Sequence, residues 1–201
     1  TTNDPVSWTH TAVGTPSVGV LGFSVNDASD IVVAVTWGGT AMTLLQKAQT
    51  PPATAWTYLY YIASASQSLT GARTITIDLS GSGLVRGLAE TYTGTDTTNP
   101  SDGSVATSVN TATTITTTLT TTQNGDYCFN WTQDTGGTPS AGTNETLLAV
   151  VANNIGSDFD AGAAGSKSMT TNLSGNVAAW AAMIALQVPA AATTTSTSSS
   201  S

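Results

Sequence analysis

Charge is scarce in this chain, and positive charge is the scarcest. Only 8% of the 201 residues are charged, and four Lys or Arg residues stand against twelve Asp or Glu, which gives a net charge of −8. Nucleic acids and anionic membranes both bind basic surfaces. Four cationic side chains cannot form such a surface, which excludes both as partners. No apolar run approaches the roughly 20 residues of a membrane-spanning helix. We therefore expect no membrane span.

Cysteine and histidine occur once each, as Cys128 and His10. A single cysteine excludes an intrachain disulfide, and its neighbours Tyr127 and Phe129 predict a strand in which the thiol is buried. One histidine and one cysteine cannot form a zinc site. No Gly-x-Ser-x-Gly motif supplies a serine for His10 to activate, which favours a structural role in a sheet. We expect a protein that is not an enzyme and has no resident cofactor.

Glutamate is almost as rare, which leaves little material for a glycosidase-type carboxylate pair. Glu90 follows Arg86 by four residues on one strand face, and this spacing favours a structural ion pair. Most aspartates fall in turns, where a short carboxylate accepts hydrogen bonds from local amides. Two loops also offer hard oxygen ligands, so calcium is the one metal to consider. Its candidate ligands are Asp27, Asp30, Asp158 and Asp160.

Threonine takes the place of charge, with 40 residues in the chain. Its β-branched side chain fits a pleated surface and leaves a hydroxyl group to solvent. Residues 74–79 alternate polar and apolar side chains, as a strand with one buried face does. Residues 31–35 are apolar on both faces and predict a strand central to a sandwich. The run 178–188, flanked by Gly175 and Pro189, is interpreted as strand rather than helix.

Turn signals divide the chain into about twelve short strands. Gly38-Gly39 and Asn124-Gly125 are two-residue hairpin signals. The pattern predicts an all-β fold: a two-sheet antiparallel β-sandwich of jelly-roll type, with over about 35% strand. We assign residues 1–189 to one sandwich domain and the Ser/Thr-rich residues 190–201 to a low-complexity tail or linker.

Three aromatic side chains alternate along one predicted strand and so share a face: Trp56, Tyr58 and Tyr60. If exposed, this stripe would stack on sugar rings; if buried, it is core between sheets. Leu59 and Tyr61 make the opposite face apolar as well, which favours the core.

Glycosylation is the modification that the sequence suggests. Asn-x-Ser/Thr triplets begin at Asn130, Asn144 and Asn172. Asn130 falls inside a predicted strand, so Asn144 and Asn172 are the acceptor candidates. In the tail the candidates for O-linked sugars are Thr193, Thr194 and Thr195.

Three segments together resemble one family of β-sandwich modules. They are Ser7-Trp8-Thr9-His10-Thr11, Val35-Thr36-Trp37-Gly38-Gly39-Thr40-Ala41-Met42-Thr43 and Tyr92-Thr93-Gly94-Thr95-Asp96-Thr97-Thr98-Asn99-Pro100. In this order and spacing, over about residues 6–188, they are similar to jelly-roll-like modules of bacterial extracellular surface proteins and phage structural proteins. The resemblance implies an extracellular or cell-surface location and a role as a repeated building block. It brings no catalytic residues.

The leading hypothesis is a non-enzymatic subunit of a self-assembling extracellular fibril, pilus-like or appendage-like, joined head to tail to copies of itself. An uncharged edge strand invites a strand from a neighbouring molecule, and residues 6–13 and 113–122 have this character. The candidates for assembly contacts are Val6, Trp8, His10 and Val13. One alternative is a carbohydrate-binding or adhesive module of a larger surface protein, with glycans as partners. Another is a decoration or tail protein of a phage virion.

Overall fold

The fold is all-β in a computed structural model that describes residues 4–50 and 53–189. Strands make up 68% of the described residues, and helix is absent from them. The all-β prediction is confirmed. The predicted tail, residues 190–201, lies outside the described part of the chain, and the assignment of residues 1–189 to one domain stays a prediction.

Strands follow one another along the chain with short connections. In the described ranges they are β1 (Val6–Ala12), β2 (Val18–Asn26), β3 (Val32–Trp37), β4 (Thr40–Ala41), β5 (Thr43–Thr50), β6 (Ala55–Ala63), β7 (Gly71–Leu79), β8 (Leu84–Tyr92), β9 (Ser101–Thr121), β10 (Tyr127–Asp134), β11 (Ser140–Ala141), β12 (Thr146–Val151), β13 (Asn154–Asp160) and β14 (Gly165–Leu186).

These strands assemble into three antiparallel sheets. Sheet 1 has the order β1-β7-β3-β4, and sheet 2 has the order β5-β6-β2-β8. Sheet 3 has the order β11-β14-β10-β13-β12, with β9 paired to β14. The sequence predicted two sheets, and the described residues form three. The first half of the chain builds sheets 1 and 2, and the second half builds sheet 3.

Sheet 2 is the middle layer, because apolar clusters join it to a sheet on each side. One cluster contains Phe23 of sheet 2 with Trp37 and Ile75 of sheet 1. The other contains Leu59 of sheet 2 with Trp131 of sheet 3. Strand β2 lies at the centre of this stack and is buried from its first residue to its eighth.

Two glycines allow this central strand to be covered from both sides. A Cβ atom at Gly19 would lie 3.1 Å from the Trp37 ring, and one at Gly22 would lie 2.5 Å from Trp131. Both indole rings are 0% exposed. The prediction that residues 31–35 form the doubly buried strand is wrong. Val33 is 68% exposed, and the register of β3 with β7 shifts between Val32 and Ala34, so this residue turns out to solvent.

Two predictions that depend only on residues close together in the chain are confirmed. In β7, Ile75, Ile77 and Leu79 are buried, while the polar residues between them are not. Gly38 and Gly39, with φ angles of 57° and 85°, connect β3 to β4 as the hairpin signal predicts.

A long two-stranded ribbon forms the far side of the molecule. Strands β9 and β14 have 21 and 22 residues and pair along most of their length. The register is interrupted between Asn172 and Ala179. On one side of this interruption residues 101–109 pair with β14; we term this part the inner leg. On the other side residues 114–121 pair with residues 165–172; we term this part the outer leg.

The outer leg folds back over sheet 3. Met169 of the outer leg packs in one apolar cluster with Met183 and Cys128, on the face of sheet 3 that points away from sheet 2. Thr117 of the outer leg donates a hydrogen bond to the buried Asn130 of β10 at 3.2 Å. The folded ribbon therefore adds a fourth layer to the stack.

Candidate functional site

The predicted site residues lie in separate places on the three sheets. The surface formed by residues 4–50 and 53–189 has no pocket, and no group of three or more His, Cys, Asp or Glu side chains there is placed to hold a metal ion. Within the same ranges, no helix has the length and hydrophobicity needed to cross a membrane.

The aromatic stripe of β6 faces sheet 1 and belongs to the core. Tyr58 is 1% exposed, and its ring stacks on Phe23 at a centroid distance of 4.8 Å. Trp56 and Tyr60 are partly buried against the same cluster. Burial, with the charge of Asp30, raises the pKa of Tyr60 to about 12. Sugar stacking on all three rings is therefore wrong, because the central ring cannot reach a ligand; the core alternative agrees with the structure.

The first pair of calcium candidates bonds to protein groups. Asp30 Oδ2 accepts a hydrogen bond from Lys47 Nζ at 2.7 Å, and Asp30 Oδ1 accepts one from the Tyr58 hydroxyl at 2.5 Å. Burial raises the pKa of Asp30, but the hydrogen bonds from Lys47 and Tyr58 outweigh it and hold the pKa below its usual value. Asp27 Oδ1 accepts the Ser29 N–H at 2.7 Å, which is turn chemistry.

The second pair of calcium candidates lies on β13. Asp158 Oδ2 accepts the Tyr92 hydroxyl at 3.0 Å, and Asp160 Oδ1 accepts the Gly162 N–H at 2.9 Å. Burial raises the pKa of Asp158, against the opposing hydrogen bond from Tyr92. Each of the two carboxylates already has a protein donor. Calcium binding stays a prediction for both pairs.

Glu90 does not pair with Arg86, so that prediction is wrong. The Arg86 guanidinium donates to Asn153 Oδ1 at 3.1 Å, and the one ion pair in the described part of the chain joins Lys47 to Asp30. Glu90 instead shares the space between sheets 2 and 3 with Asp158. Burial, and then the charge of Asp158, raise the pKa of Glu90. The sequence could not show this neighbour, which comes from another sheet.

Other carboxylates hold the backbone of distant strands. Asp134 is 0% exposed and accepts the Ser174 N–H at 2.7 Å. Glu145 accepts the Thr170 N–H at 2.6 Å and the Ser157 hydroxyl at 2.8 Å. Both acids thus fix the ribbon strand β14 near its bend. Asp134 also accepts the N–H of Gly136, as expected for an aspartate in a turn, but the contact with Ser174 joins distant segments and no local pattern indicates it.

The contacts of the single histidine, His10, indicate a structural role. His10 Nε2 lies 3.3 Å from the Thr91 hydroxyl, and the imidazole ring meets the Trp37 ring edge-on at 5.1 Å. Burial lowers the pKa of His10 below its usual value, so the ring is neutral at pH 7.

Replacing His10 by alanine should lower the free energy of unfolding by about 1 kcal/mol, through the lost ring contact and hydrogen bond. Urea unfolding followed by tryptophan fluorescence measures this change. His10→Gln, which keeps a hydrogen-bonding side chain, should lose less. A variant with unchanged stability would contradict the structural role.

Strand β1 carries the predicted assembly residues and is an edge strand. It pairs only with β7 among the described strands, so its other side is unpaired. Val6 is buried, whereas Trp8 and His10 are partly exposed. Val13 follows the strand and is 87% exposed.

Strand β9 is the second edge strand. Its pairing with β14 is more regular in the outer leg than in the inner leg. Residues 114–121 form eight consecutive pairs with β14 without a bulge, and on their other side no described strand pairs with them. The 21 residues of β9 contain one charge, that of Asp102, and no proline. Four side chains of the outer leg point to solvent, namely Thr114, Thr116, Thr118 and Thr120.

The glycosylation candidates separate by exposure. Asn130 is 1% exposed and hydrogen-bonded inside the sheet, as its strand position predicts. Asn144 is exposed in a turn with a φ of 67°. Asn172 is exposed, although its amide donates to the Ala141 carbonyl at 3.1 Å. The predicted O-linked positions Thr193, Thr194 and Thr195 lie outside the described residues.

Comparison of the chain with protein-family models, with curated proteins and with solved structures finds no match.

Proposed function

We propose that this protein is a non-enzymatic structural subunit of a self-assembling extracellular fibril. The observation that carries the proposal is the outer leg of β9, a regular edge without charge or proline. Soluble monomers block such edges with lysine, proline, bulges or a covering segment, because free N–H and C=O groups accept a strand from another molecule. Here the described residues supply none of these between positions 114 and 121.

Two different edges support an open chain of subunits. β1 is the edge of sheet 1, and β9 is the edge of sheet 3, with sheet 2 between them. A contact between unlike edges of successive molecules is heterologous and does not close on itself, so it extends into a filament. Each added strand brings hydrogen bonds worth about 0.5–1.5 kcal/mol apiece.

The surface composition agrees with close packing of copies. With 8% charged residues, neighbouring subunits meet little like-charge repulsion beyond the acidic excess. The sheet stack fits a sandwich-type module, for which we retain the jelly-roll assignment as part of this proposal. The sugar-binding alternative is weaker, since the aromatic stripe that suggested it lies in the core.

Native mass and electron microscopy test the proposal. The purified chain, concentrated at neutral pH, should form particles larger than a monomer, with contacts burying over roughly 1,000 Å² in total. Sedimentation velocity over a wide concentration range gives the mass distribution. A chain that stays monomeric at all concentrations and shows no filaments in negative stain would refute the proposal.

A further inference from the structure

Most of the sulfur atoms of the chain lie in one buried cluster between sheet 3 and the outer leg. The chain contains one cysteine and three methionines. Cys128, Met169 and Met183 belong to this cluster, and each is 0% exposed. The remaining methionine, Met42, packs in the cluster between sheets 1 and 2. The sulfur-bearing side chains are therefore concentrated at one place in the fold.

The strand pairing places these three side chains around one residue of β10, Asn130. Met183 of β14 is directly opposite Asn130, and Cys128 lies two residues before Asn130 on the same face of sheet 3. Met169 is opposite Thr117 in the outer leg, and the Thr117 hydroxyl donates a hydrogen bond to Asn130 Oδ1 at 3.2 Å. The cysteine and the two methionines thus come from three separate strand segments and share one position over sheet 3.

The surroundings of the three sulfur atoms are apolar. The other side chains of the cluster, or packed against it, are Ala161, Ala185, Val105, Leu119 and Phe159. Burial, and then the charge of Asp126, raise the pKa of Cys128 to about 12, so the thiol is protonated at neutral pH. A bare thiolate here would be a buried charge without a partner, which an apolar environment strongly disfavours. The thiol can lose its proton only to a cation that neutralises the sulfur.

The chemistry of this ligand set selects a soft monovalent cation. Thiolate and thioether sulfur atoms are soft ligands that favour Cu(I). One thiolate with a monovalent ion carries no net charge, whereas a divalent ion such as Zn²⁺ would leave a positive charge among apolar side chains. At a metal–sulfur distance of about 2.3 Å, three sulfur atoms around an ion are about 4 Å apart, which is also the contact distance of packed side chains. A trigonal site therefore needs no preformed cavity.

We propose that Cys128, Met169 and Met183 bind one soft monovalent metal ion, Cu(I) or its analogue Ag(I). Cys128 supplies a thiolate, and the two methionines supply thioether sulfur atoms. On binding, the thiol proton is released to solvent and a metal–sulfur bond takes its place, with no change in the oxidation state of the metal or the sulfur. Because the three side chains are fully buried, the ion enters as the chain folds. The site does not depend on assembly into a fibril.

Refolding in the presence of the metal tests this site. The full chain is unfolded in urea under argon, mixed with an equimolar amount of the acetonitrile complex of Cu(I), and refolded by dilution. A parallel sample receives Ag(I), which does not oxidise in air. After desalting, native mass spectrometry should show a single ion per chain, with the mass of the added metal less that of a proton. A Cu(I)-selective chelator added in steps then measures the apparent affinity.

Single substitutions identify the ligands. Cys128→Ala should abolish retention of the metal. Met169→Leu and Met183→Leu should each weaken it at least about 10-fold, because leucine conserves the packed volume but offers no sulfur atom. These two variants keep the test valid if Cys128→Ala folds poorly. Met42→Leu is the matched control, because it removes the methionine outside the cluster and should leave the affinity unchanged.

Four results would overturn the proposal. The first is a refolded original sequence that retains neither Cu(I) nor Ag(I). The second is equal retention by the original sequence and by both Met169→Leu and Met183→Leu. The third is an equal loss in Met42→Leu and the cluster variants, which would separate the effect from this cluster. The fourth is equally tight retention of Zn²⁺, which would contradict selection of a soft monovalent ion.

Discussion

Trp131→Ala should lower the free energy of unfolding by about 3–5 kcal/mol, because the change removes a fully buried indole ring. The indole ring is 0% exposed and fills the space between sheets 2 and 3, above Gly22 and beside Leu59. Because that space is enclosed by two sheets, it cannot collapse easily around a cavity. Urea unfolding of the purified variant, followed by circular dichroism, measures the loss.

A double-mutant cycle separates the cavity from the contact with β2. Gly22→Ala alone should destabilise the protein by about 1–3 kcal/mol, because its Cβ would lie 2.5 Å from the Trp131 ring. In the Trp131→Ala background the same change should cost much less, since the clash is gone. Gly81→Ala is the matched control, because nothing lies within 4 Å of a Cβ there. Additive losses from Gly22→Ala and Trp131→Ala would show that the two residues are not in direct contact.

Gly22 and Trp131 also show which part of the fold could not be predicted from the sequence. The alternation of β7 and the Gly38-Gly39 hairpin were predictable, because each depends on residues next to each other in the chain. Which apolar run becomes the central strand depends on partners from two other sheets. Residues 31–35 and β2 look alike in the sequence, and the bulge at Val33 and the glycines of β2 decide between them.

The ribbon was only partly predictable for a related reason. The run 178–188 was correctly interpreted as strand up to Leu186, but in the structure it is the second half of a 22-residue strand that begins at Gly165. Residues 113–122 were expected to form an uncharged edge strand, and pairing with β14 extends this strand back to Ser101. The folded ribbon also brings Asp102 to Thr122, whose hydroxyl group donates a hydrogen bond to it at 2.7 Å, a contact that no spacing in the sequence indicates.

The regular outer leg gives the second prediction with a large expected effect. Thr116→Lys combined with Thr118→Lys should raise the concentration needed for assembly at least about 10-fold, or abolish assembly, because lysine on an edge strand opposes the addition of another strand. Both side chains are exposed, and each loses only a hydroxyl contact with the neighbouring strand. The free energy of unfolding of the monomer should therefore change by less than about 0.5 kcal/mol.

Ser82→Lys combined with Thr143→Lys is the matched control for this experiment. It changes the net charge by the same amount at two exposed positions outside the strands, so any general effect of charge on association appears equally in both double variants. Sedimentation velocity and negative-stain microscopy of the two variants and the original sequence, at equal concentration and salt, give the comparison. Loss of assembly only in the outer-leg variant would place the contact at β9. Equal loss in both would assign the effect to net charge. Normal assembly of the outer-leg variant would exclude this edge and, with it, the proposed contact between β1 and β9 of successive molecules.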